Sequence, residues 1–565
     1  MNRDRIQLTI LALLVLLSAS CWAQPITKQI APGVTLYQEI TADPPLVVTA
    51  AIVDPATPGV QIKAALGGDT VIEENPTKGR ETISAMTARR GAVIGINADF
   101  FPYTGDPLNA CVIDGQLVSE PEGRRAVVGI TKDRKPFCDI PRLDAKLALA
   151  SGVSRQIDGI NRGRETNRVV AYTDIFGAST KIDYKGTDLI CTSPDLPVQP
   201  GKDMQLTVTE VKLDATNTPI PKGGIVLSAG GPAASFLSAN FKAGDSFTVR
   251  FDIKSTNGTD WTQVDQAVGG CVWLVNKGEV WLDVAAEGSG ESFSTTKHPR
   301  TAAGYTADGK LILATVDGRQ AISRGISLTD LAGVMKGLGC VTAINLDGGG
   351  STTFSYRGMV LNSTSEGEER AVADGLLVFA PPAEGQPIKL AVTGVTTDVI
   401  SGQSMQLSLT SGDDAKPLTE DQLASVVWGT NGGVGFVNQS GLFTPVKTRK
   451  GSVRAMLGNE VAWVDVAVAA GAAVRLSAQL VADKADPTRA ALNVGAYDLN
   501  SNRVPNAPMT VTITGGKADA ETGTTDEKGA FTTNIIWDAA ATEKGAVVTS
   551  GTLTAEAELT EAATK

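Results

Sequence analysis

Short runs in which apolar and polar residues alternate recur along most of this chain, and the β-strand is the regular element whose side chains point alternately to two faces. Val47-Val48-Thr49-Ala50-Ala51-Ile52-Val53 and Val60-Gln61-Ile62-Lys63 open the series, and Ser404-Met405-Gln406-Leu407-Ser408-Leu409 and Val461-Ala462-Trp463-Val464-Asp465-Val466 continue it. Sixty glycines and an aromatic content of 5% fit many short strands and tight turns better than a helical bundle. A mostly β protein is expected. With 565 residues, 42% hydrophobic and 20% charged, the chain can bury sizeable cores, and its length suits roughly two to four domains.

Two segments leave the alternating pattern in the same way. Glu81 to Arg90 sets Ile83, Ala85 and Met86 at helical spacing and stops at Gly91; Ala92 to Ile96 then reads as a buried strand running into Asn97-Ala98-Asp99-Phe100-Phe101-Pro102. Ser327 can cap a second helix, with Asp330 three residues on and Leu328, Leu331, Val334, Met335 and Leu338 as its apolar stripe; Gly337 and Gly339 end it. Cys340 to Leu346 follows as another buried strand and delivers Asp347-Gly348-Gly349-Gly350-Ser351. Pro381-Pro382-Ala383-Glu384-Gly385-Gln386-Pro387 has the composition of a linker. The expected division is a large domain over 24–380 and two all-β sandwiches over 387–470 and 472–565. Asp498 to Pro508, Thr525 to Gly529 and the Trp428 to Phe443 stretch resemble bacterial immunoglobulin-like domains.

Arg3 and Arg5, the apolar run from Leu8 to Leu17 and the small residues after it predict a secretory signal over 1–23, cut after Ala23. Lipidation of Cys21 is the alternative, although Ser18 stands where such signals usually carry Leu. A periplasmic, cell-surface or extracellular location is expected. No later run approaches the ~18 apolar residues that span a bilayer. A formal charge of -11 without a long basic run argues against a nucleic-acid partner. Cys111, Cys138, Cys191, Cys271 and Cys340 follow the signal; an odd number leaves at least one unpaired, and the absence of a CxxC pair or His/Cys cluster argues against structural zinc.

The residues with chemical potential lie where strands end. Gly348 to Gly350 let a ligand approach the backbone and expose amide groups, with Asp347 offering a carboxylate and Ser351 a hydroxyl; a capped glycine turn is the plainer reading. His298, the only histidine, can donate a hydrogen bond or a proton, or be a structural side chain. Arg300 can fork onto a phosphate or enter an ordinary salt bridge. Asp317-Gly318-Arg319 follows the apolar strand Leu311 to Val316 and can be a turn or can aim Arg319 into the cleft of Arg300. Asp308-Gly309-Lys310 reads as the hairpin turn before it. Asn97, Asp99 and Asp106 can contact sugar hydroxyls or cap their loop, and the Glu368, Glu369, Arg370 cluster can line a late loop or face water.

Taken in order, Ile96-Asn97-Ala98-Asp99-Phe100-Phe101, His298-Pro299-Arg300-Thr301-Ala302, Asp317-Gly318-Arg319, Asn345-Leu346-Asp347-Gly348-Gly349-Gly350-Ser351 and Glu369-Arg370-Ala371-Val372-Ala373-Asp374 resemble the phosphodiester glycosidase family over about residues 30 to 380. The first string departs from the family's Asn-Gly-Gly-Phe-Phe pattern at Ala98-Asp99. Ala229-Gly230-Gly231-Pro232 reads as another loop of the family's kind. The resemblance implies an α+β catalytic domain, rich in strands, that cleaves a sugar from a phosphodiester at the anomeric carbon. It implies catalytic roles for Asp347, His298 and Asp317, and contacts to substrate or phosphate from Arg300, Thr301, Arg319, Gly348, Gly349, Gly350, Ser351, Asn97, Asp99 and Arg370.

Charge explains why these residue types suit that reaction: the sugar gains positive character as the departing phosphate gains negative charge, so a carboxylate helps at one side and guanidinium or amide donors at the other. No cofactor is required on this reading, although calcium on the Asp-rich loops stays open. The expected partner is a sugar-1-phosphodiester or phosphate-containing glycan, with cell-surface attachment through the C-terminal domains. A noncatalytic glycan-binding or adhesion protein using the same cleft is the rival. A metal-assisted hydrolase cutting the phosphorus–oxygen bond is poorly served by a single histidine.

Overall fold

A computed structural model describes residues 25–381, 389–396, 398–412, 415–557 and 559–560; the expected signal, Cys21 and most of the proline-rich linker lie outside them. The described chain is mostly strand. No helix among these residues is long and apolar enough to cross a membrane.

Two large sheets, joined by Val128, Ile130, Cys138 and Val268 of a five-stranded one, form the main core. The first has eight strands in the order Ile26–Ala31, Val34–Ala42, Pro45–Val53, Leu311–Val316, Arg300–Thr306, Cys340–Asn345, Trp273–Asn276 and Glu279–Val280. Arg300–Thr306 is antiparallel to both neighbours, so its N-terminal end lies beside the C-terminal ends of Leu311–Val316 and Cys340–Asn345. Asp308-Gly309-Lys310 makes the expected hairpin turn, with Gly309 at φ +82°. The expected helix spans Leu328–Gly337, with the Ser327 hydroxyl accepting from Asp330 N–H and Leu328, Leu331, Ala332 and Met335 buried. Its stripe packs on the sheet against Ala302, Ile312 and Ala314.

The second sheet has nine strands, and Ile94–Asn97 lies inside it between Phe354–Tyr356 and Asp374–Phe379. The preceding helix spans Ile83–Arg90: Thr82 accepts from Ala85 N–H at its start, and Gly91 at φ +69° closes it. Ile94, Ile96, Phe354 and Leu376 of this sheet share a core with Leu36, Val53, Leu313 and Ile344 of the first. Register sets Gly375 opposite Asn97, bringing the start of the Asp374 strand to the end of the Asn97 strand. A separate eight-stranded sheet forms within residues 142–254, backed by the helix Gly231–Asn240.

The nine-stranded sheet does not stop at the linker. Thr430 in Val427–Asn431 pairs with Val360 in Met359–Val360, and Lys450–Leu457, Glu460–Ala469 and Val399–Ile400 extend the same sheet. Val427 and Met456 enter the main core beside Tyr356, Met359 and Leu361. The Lys28 ammonium, 8% exposed, donates to the carbonyls of Val426 and Gln439 at 2.5 and 2.6 Å. Residues from 472 onward form a five-stranded and a four-stranded sheet around Leu480, Leu492, Val511, Ile535 and Val548. This last unit meets its predecessor through Asn502, whose amide donates to Ser401 Oγ and Val446 O. Cys111, Cys138, Cys191, Cys271 and Cys340 are all free and buried.

Candidate active site

Strand ends from both sheets converge on Asp347. Asp347 N–H donates to Ala98 O at 2.8 Å, Leu346 N–H to Thr301 O at 2.8 Å and Gly349 N–H to Pro299 O at 2.9 Å, tying the glycine loop to both flanking segments. Close approach of backbone requires a glycine at Gly348, and the positive φ favours one at Gly349. A Cβ at Gly348 would lie 2.7 Å from Pro299 O; at Gly349, whose φ is +62°, it would lie 3.1 Å from Arg319 Nη2; at Gly350 it would collide with the Arg370 guanidinium. Arg300 lies on the far side of the turn, its Cδ 3.7 Å from where a Gly348 Cβ would be. The glycines thus let three arginines crowd one turn.

Their guanidiniums are not equivalent. Arg300 is 2% exposed, and its Nη2 donates to Phe293 O at 2.7 Å and Thr296 O at 3.0 Å, with Nε 3.4 Å from Ile326 O. Burial, then the Arg319 charge, pushes it down to about 10. Arg300 therefore contributes a buried positive charge with two of its nitrogens already engaged, not the open fork expected. Arg319 is exposed, held at φ +61°, and its Nη2 lies 3.2 Å from His298 Nδ1. Arg370 Nη1 donates to Ser351 Oγ at 3.3 Å and pairs with Glu366. Arg319 therefore faces the turn with donors to offer, whereas all three nitrogens of Arg370 are engaged by Glu366 and Ser351.

Asp347 is half-buried, and one of its carboxylate oxygens accepts from Gly348 N–H at 2.8 Å. Burial pushes it up to about 6, against the Ser351 hydroxyl, the Gly348 amide and the Arg370 charge, which favour the carboxylate. Burial lowers His298, and the charges of Arg319 and Arg300 lower it further. Its imidazole is therefore neutral near pH 7. With Nδ1 accepting from Arg319, Nε2 carries the proton.

Four expected contacts take different positions. Asp317 is 1% exposed and accepts from Asn362 Nδ2 at 3.0 Å and Ser363 N–H at 2.8 Å, so it pins the loop after residue 361 instead of presenting a catalytic carboxylate. Asn97 is fully buried: its oxygen accepts from Thr301 Oγ1 at 2.8 Å and Thr353 N–H at 3.1 Å, and its amide donates to Asp347 O at 2.6 Å. Thr301 is thereby committed to Asn97. Asp99 is 1% exposed and accepts from Phe100 and Asn109 N–H groups at 2.8 and 2.6 Å. Asn97, Thr301 and Asp99 are buried, with their polar atoms engaged within the protein. Gly230-Gly231-Pro232 opens the helix Gly231–Asn240 on the separate sheet.

Asp374 was missed as a site residue. Its Oδ1 accepts from Asp99 N–H at 2.8 Å, while Oδ2 is buried with no hydrogen-bond partner. Burial raises both carboxyls, the Asp374 charge raises Asp99 further, and the Asp347 charge raises Asp374. The available signal was its place ending the Glu369-to-Asp374 string at the start of a core strand. No group of three or more His, Cys, Asp or Glu side chains among the described residues is arranged to hold a metal ion.

Removing the Asp317 clamp should cost stability. Asp317→Ala leaves the Ser363 N–H and one Asn362 N–H buried without acceptors, a loss of about 2–5 kcal/mol. Because burial raises Asp317 from 3.8 to about 7, the folded state binds the extra proton between those values. The wild-type advantage therefore narrows as pH rises through that window. Thermal melts of both proteins at several pH values measure it; equal melting temperatures throughout would remove the clamp.

The candidate site is thus a carboxylate beside a glycine turn, with the exposed Arg319 on one flank and Arg370, paired with Glu366, on the other. Residues 203–379 match the model of the phosphodiester glycosidase family. That segment contains His298, Arg300, Arg319, Asp347 to Ser351 and Arg370; Asn97 and Asp99 precede it. Over 117 residues the chain is 45% identical to the SPbeta prophage-derived uncharacterized protein YomE of Bacillus subtilis (strain 168), covering 20% of this chain and 17% of that protein. Over 110 residues it is 38% identical to N-acetylglucosamine-1-phosphodiester alpha-N-acetylglucosaminidase of Bos taurus, covering 18% of this chain and 21% of that one. These matches span about a fifth of the curated relatives' length. A hypothetical protein from Synechocystis has a similar fold, with a TM-score of 0.50 at 22% identity over 62% of each chain.

Proposed function

We propose that this protein is an exported glycosidase that hydrolyses the sugar–phosphate glycosidic bond of a sugar-1-phosphodiester on an envelope or extracellular glycoconjugate. The observation that carries the reading is the meeting of the Asp347 carboxylate with Arg319 and Arg370 at one glycine turn. Cleavage of the anomeric carbon–oxygen bond sends the electron pair to the phosphate, and water supplies the new sugar hydroxyl. The products are free sugar and a phosphate monoester. Asp347 stabilises the positive character of the sugar, while Arg319 and Arg370 receive the phosphate charge. His298 donates a hydrogen bond from Nε2 to the departing oxygen, and Arg300 adds field from below. The two C-terminal units are read as immunoglobulin-like sandwiches that position the enzyme at a surface.

Synthetic N-acetylglucosamine-1-phosphodiesters with different alcohols test the reaction by product analysis. Release of free sugar with a phosphate monoester is expected. A sugar phosphate product would mean phosphorus–oxygen cleavage, and binding without turnover across the panel would mean a noncatalytic glycan-binding protein. The pH profile gives a second check. Since Asp347 acts as the carboxylate and is pushed up to about 6, kcat/KM should fall about tenfold per pH unit below that value, the slope of a single titrating group. A flat profile from pH 4 to pH 7, an acid range of roughly three units, would remove Asp347 from the charged role.

A further inference from the structure

A second carboxylate lies on the glycine turn. A Cβ at Gly350 would collide with Cδ and Oε1 of Glu366 as well as with the Arg370 guanidinium. Glu366 takes Arg370 as a fork: Nε donates to Oε2 at 3.2 Å and Nη2 to Oε1, while Nη1 donates to Ser351 Oγ at 3.3 Å. The Ser351 hydroxyl in turn favours the Asp347 carboxylate, so one polar chain joins the two carboxyls across the turn. Both members of the fork are open to solvent, with the Arg370 side chain 38% and the Glu366 side chain 45% exposed. A ligand arriving at the turn meets both.

The loop that carries the fork is fixed on either side of it. Gln320 Nε2 donates to Ser363 O and Thr364 O, both at 3.1 Å, and the Ser363 hydroxyl donates to Gln320 Oε1 at 2.7 Å. Beyond Glu366, the carboxyl of Glu369 accepts from Ser84 N–H at 2.7 Å and Glu368 pairs with Arg449. Burial pushes Asp99 and Asp374 toward the neutral acid. The charges left around the turn are three guanidiniums, Arg300, Arg319 and Arg370, and two carboxylates, Asp347 and the ion-paired Glu366, a surplus of one positive charge. A phosphodiester, with one negative charge, neutralises that surplus. A phosphate monoester, which carries about two once its second proton has left near pH 6, leaves one negative charge uncompensated.

We propose that Glu366 is a specificity-determining residue, whose fixed negative charge on the phosphate-receiving turn penalises a doubly charged phosphate monoester more than a singly charged phosphodiester. The inference rests on the glycosidase reading, under which the diester is substrate and the monoester product. Glu366 then favours exchange of product for substrate: the monoester is repelled more strongly once its second charge develops. Without the Glu366 charge the surplus around the turn rises to two, which matches the monoester instead.

Phenyl phosphate and methyl phenyl phosphate, a monoester and a diester that carry no sugar, are the probes, titrated calorimetrically into the full chain at about pH 8, where the monoester is doubly charged. Glu366→Gln should tighten the diester roughly fivefold and the monoester roughly twenty-five-fold, the scale of one and of two charge pairs ~4 Å apart under water-like screening. The monoester-to-diester affinity ratio therefore rises roughly fivefold. Glu366→Asp retains the charge and should keep the wild-type ratio. Equal gains for the two esters, a loss for both because Glu366 merely holds Arg370 in place, no change in either, no binding of either, or a Glu366→Asp ratio like that of Glu366→Gln would each overturn the proposal. Neither probe has a glycosidic bond, so the two readings fail separately. The expected shift in a protein that releases sugar from no phosphodiester would sink the glycosidase alone, and sugar release with an unshifted ratio would sink the role of Glu366 alone.

Discussion

Asp347→Asn is expected to lower sugar release about 10²- to 10³-fold, the scale of removing one preorganised charge-stabilising group from a site. The substitution keeps the side chain's shape and an oxygen to accept the Gly348 N–H, so the loss is of charge. Stability should move the other way. Burial raises the folded-state Asp347 above the usual carboxylate range, so the ionised form opposes folding once pH exceeds the ordinary value; a neutral amide lacks that penalty. At pH 7, near neutrality, the variant should therefore melt at or above the wild-type temperature while losing activity. A variant that retained most of its sugar release would leave the carboxylate without a role, and one that failed by unfolding would show an early melt.

Ending the chain at residue 381 is expected to destroy cooperative folding of the preceding region, although the proline-rich linker looks like a safe place to cut. The truncation removes Val427 and Met456 from the main core and bares one side of Tyr356, Met359 and Leu361. Full exposure of three such side chains costs up to about 5–9 kcal/mol, comparable with a typical stability of about 5–15 kcal/mol. It also leaves Met359–Val360 as an open sheet edge where Thr430 had paired, an invitation to aggregation. Soluble yield and a thermal melt of residues 25–381 against the full chain measure this. A truncated protein that melts as sharply and as high would show that the shared sheet contributes little.

Local chemistry was legible where neighbours in sequence suffice to specify it. Ser327 with Asp330, Gly91 after Arg90 and the Asp308-Gly309-Lys310 turn each satisfy backbone groups within a few residues, and each stands where it was expected. The strand-then-loop pattern also placed Asp347 and its glycines at a strand end. The direction of a side chain at that end was not legible, because it depends on what the other sheet supplies. Asn97 and Asp317 looked like open polar groups until Thr301, Thr353, Asn362 and Ser363 arrived from distant segments to engage them. Arg300 likewise lost its free fork to the carbonyls of Phe293 and Thr296.

By itself, the sequence determined a strand-rich chain with its capped helices and tight turns, since periodicity, capping and glycine placement act over a few residues, and it carried the ordered strings that resemble the phosphodiester glycosidase family. Only the tertiary structure decided which arginines present donors, that Asp374 lies beneath the site, and that one sheet passes from Val360 to Thr430 across the linker. Those outcomes depend on hydrogen bonds and core contacts between segments far apart in the chain, whose burial sets both the direction and the charge of every group they enclose.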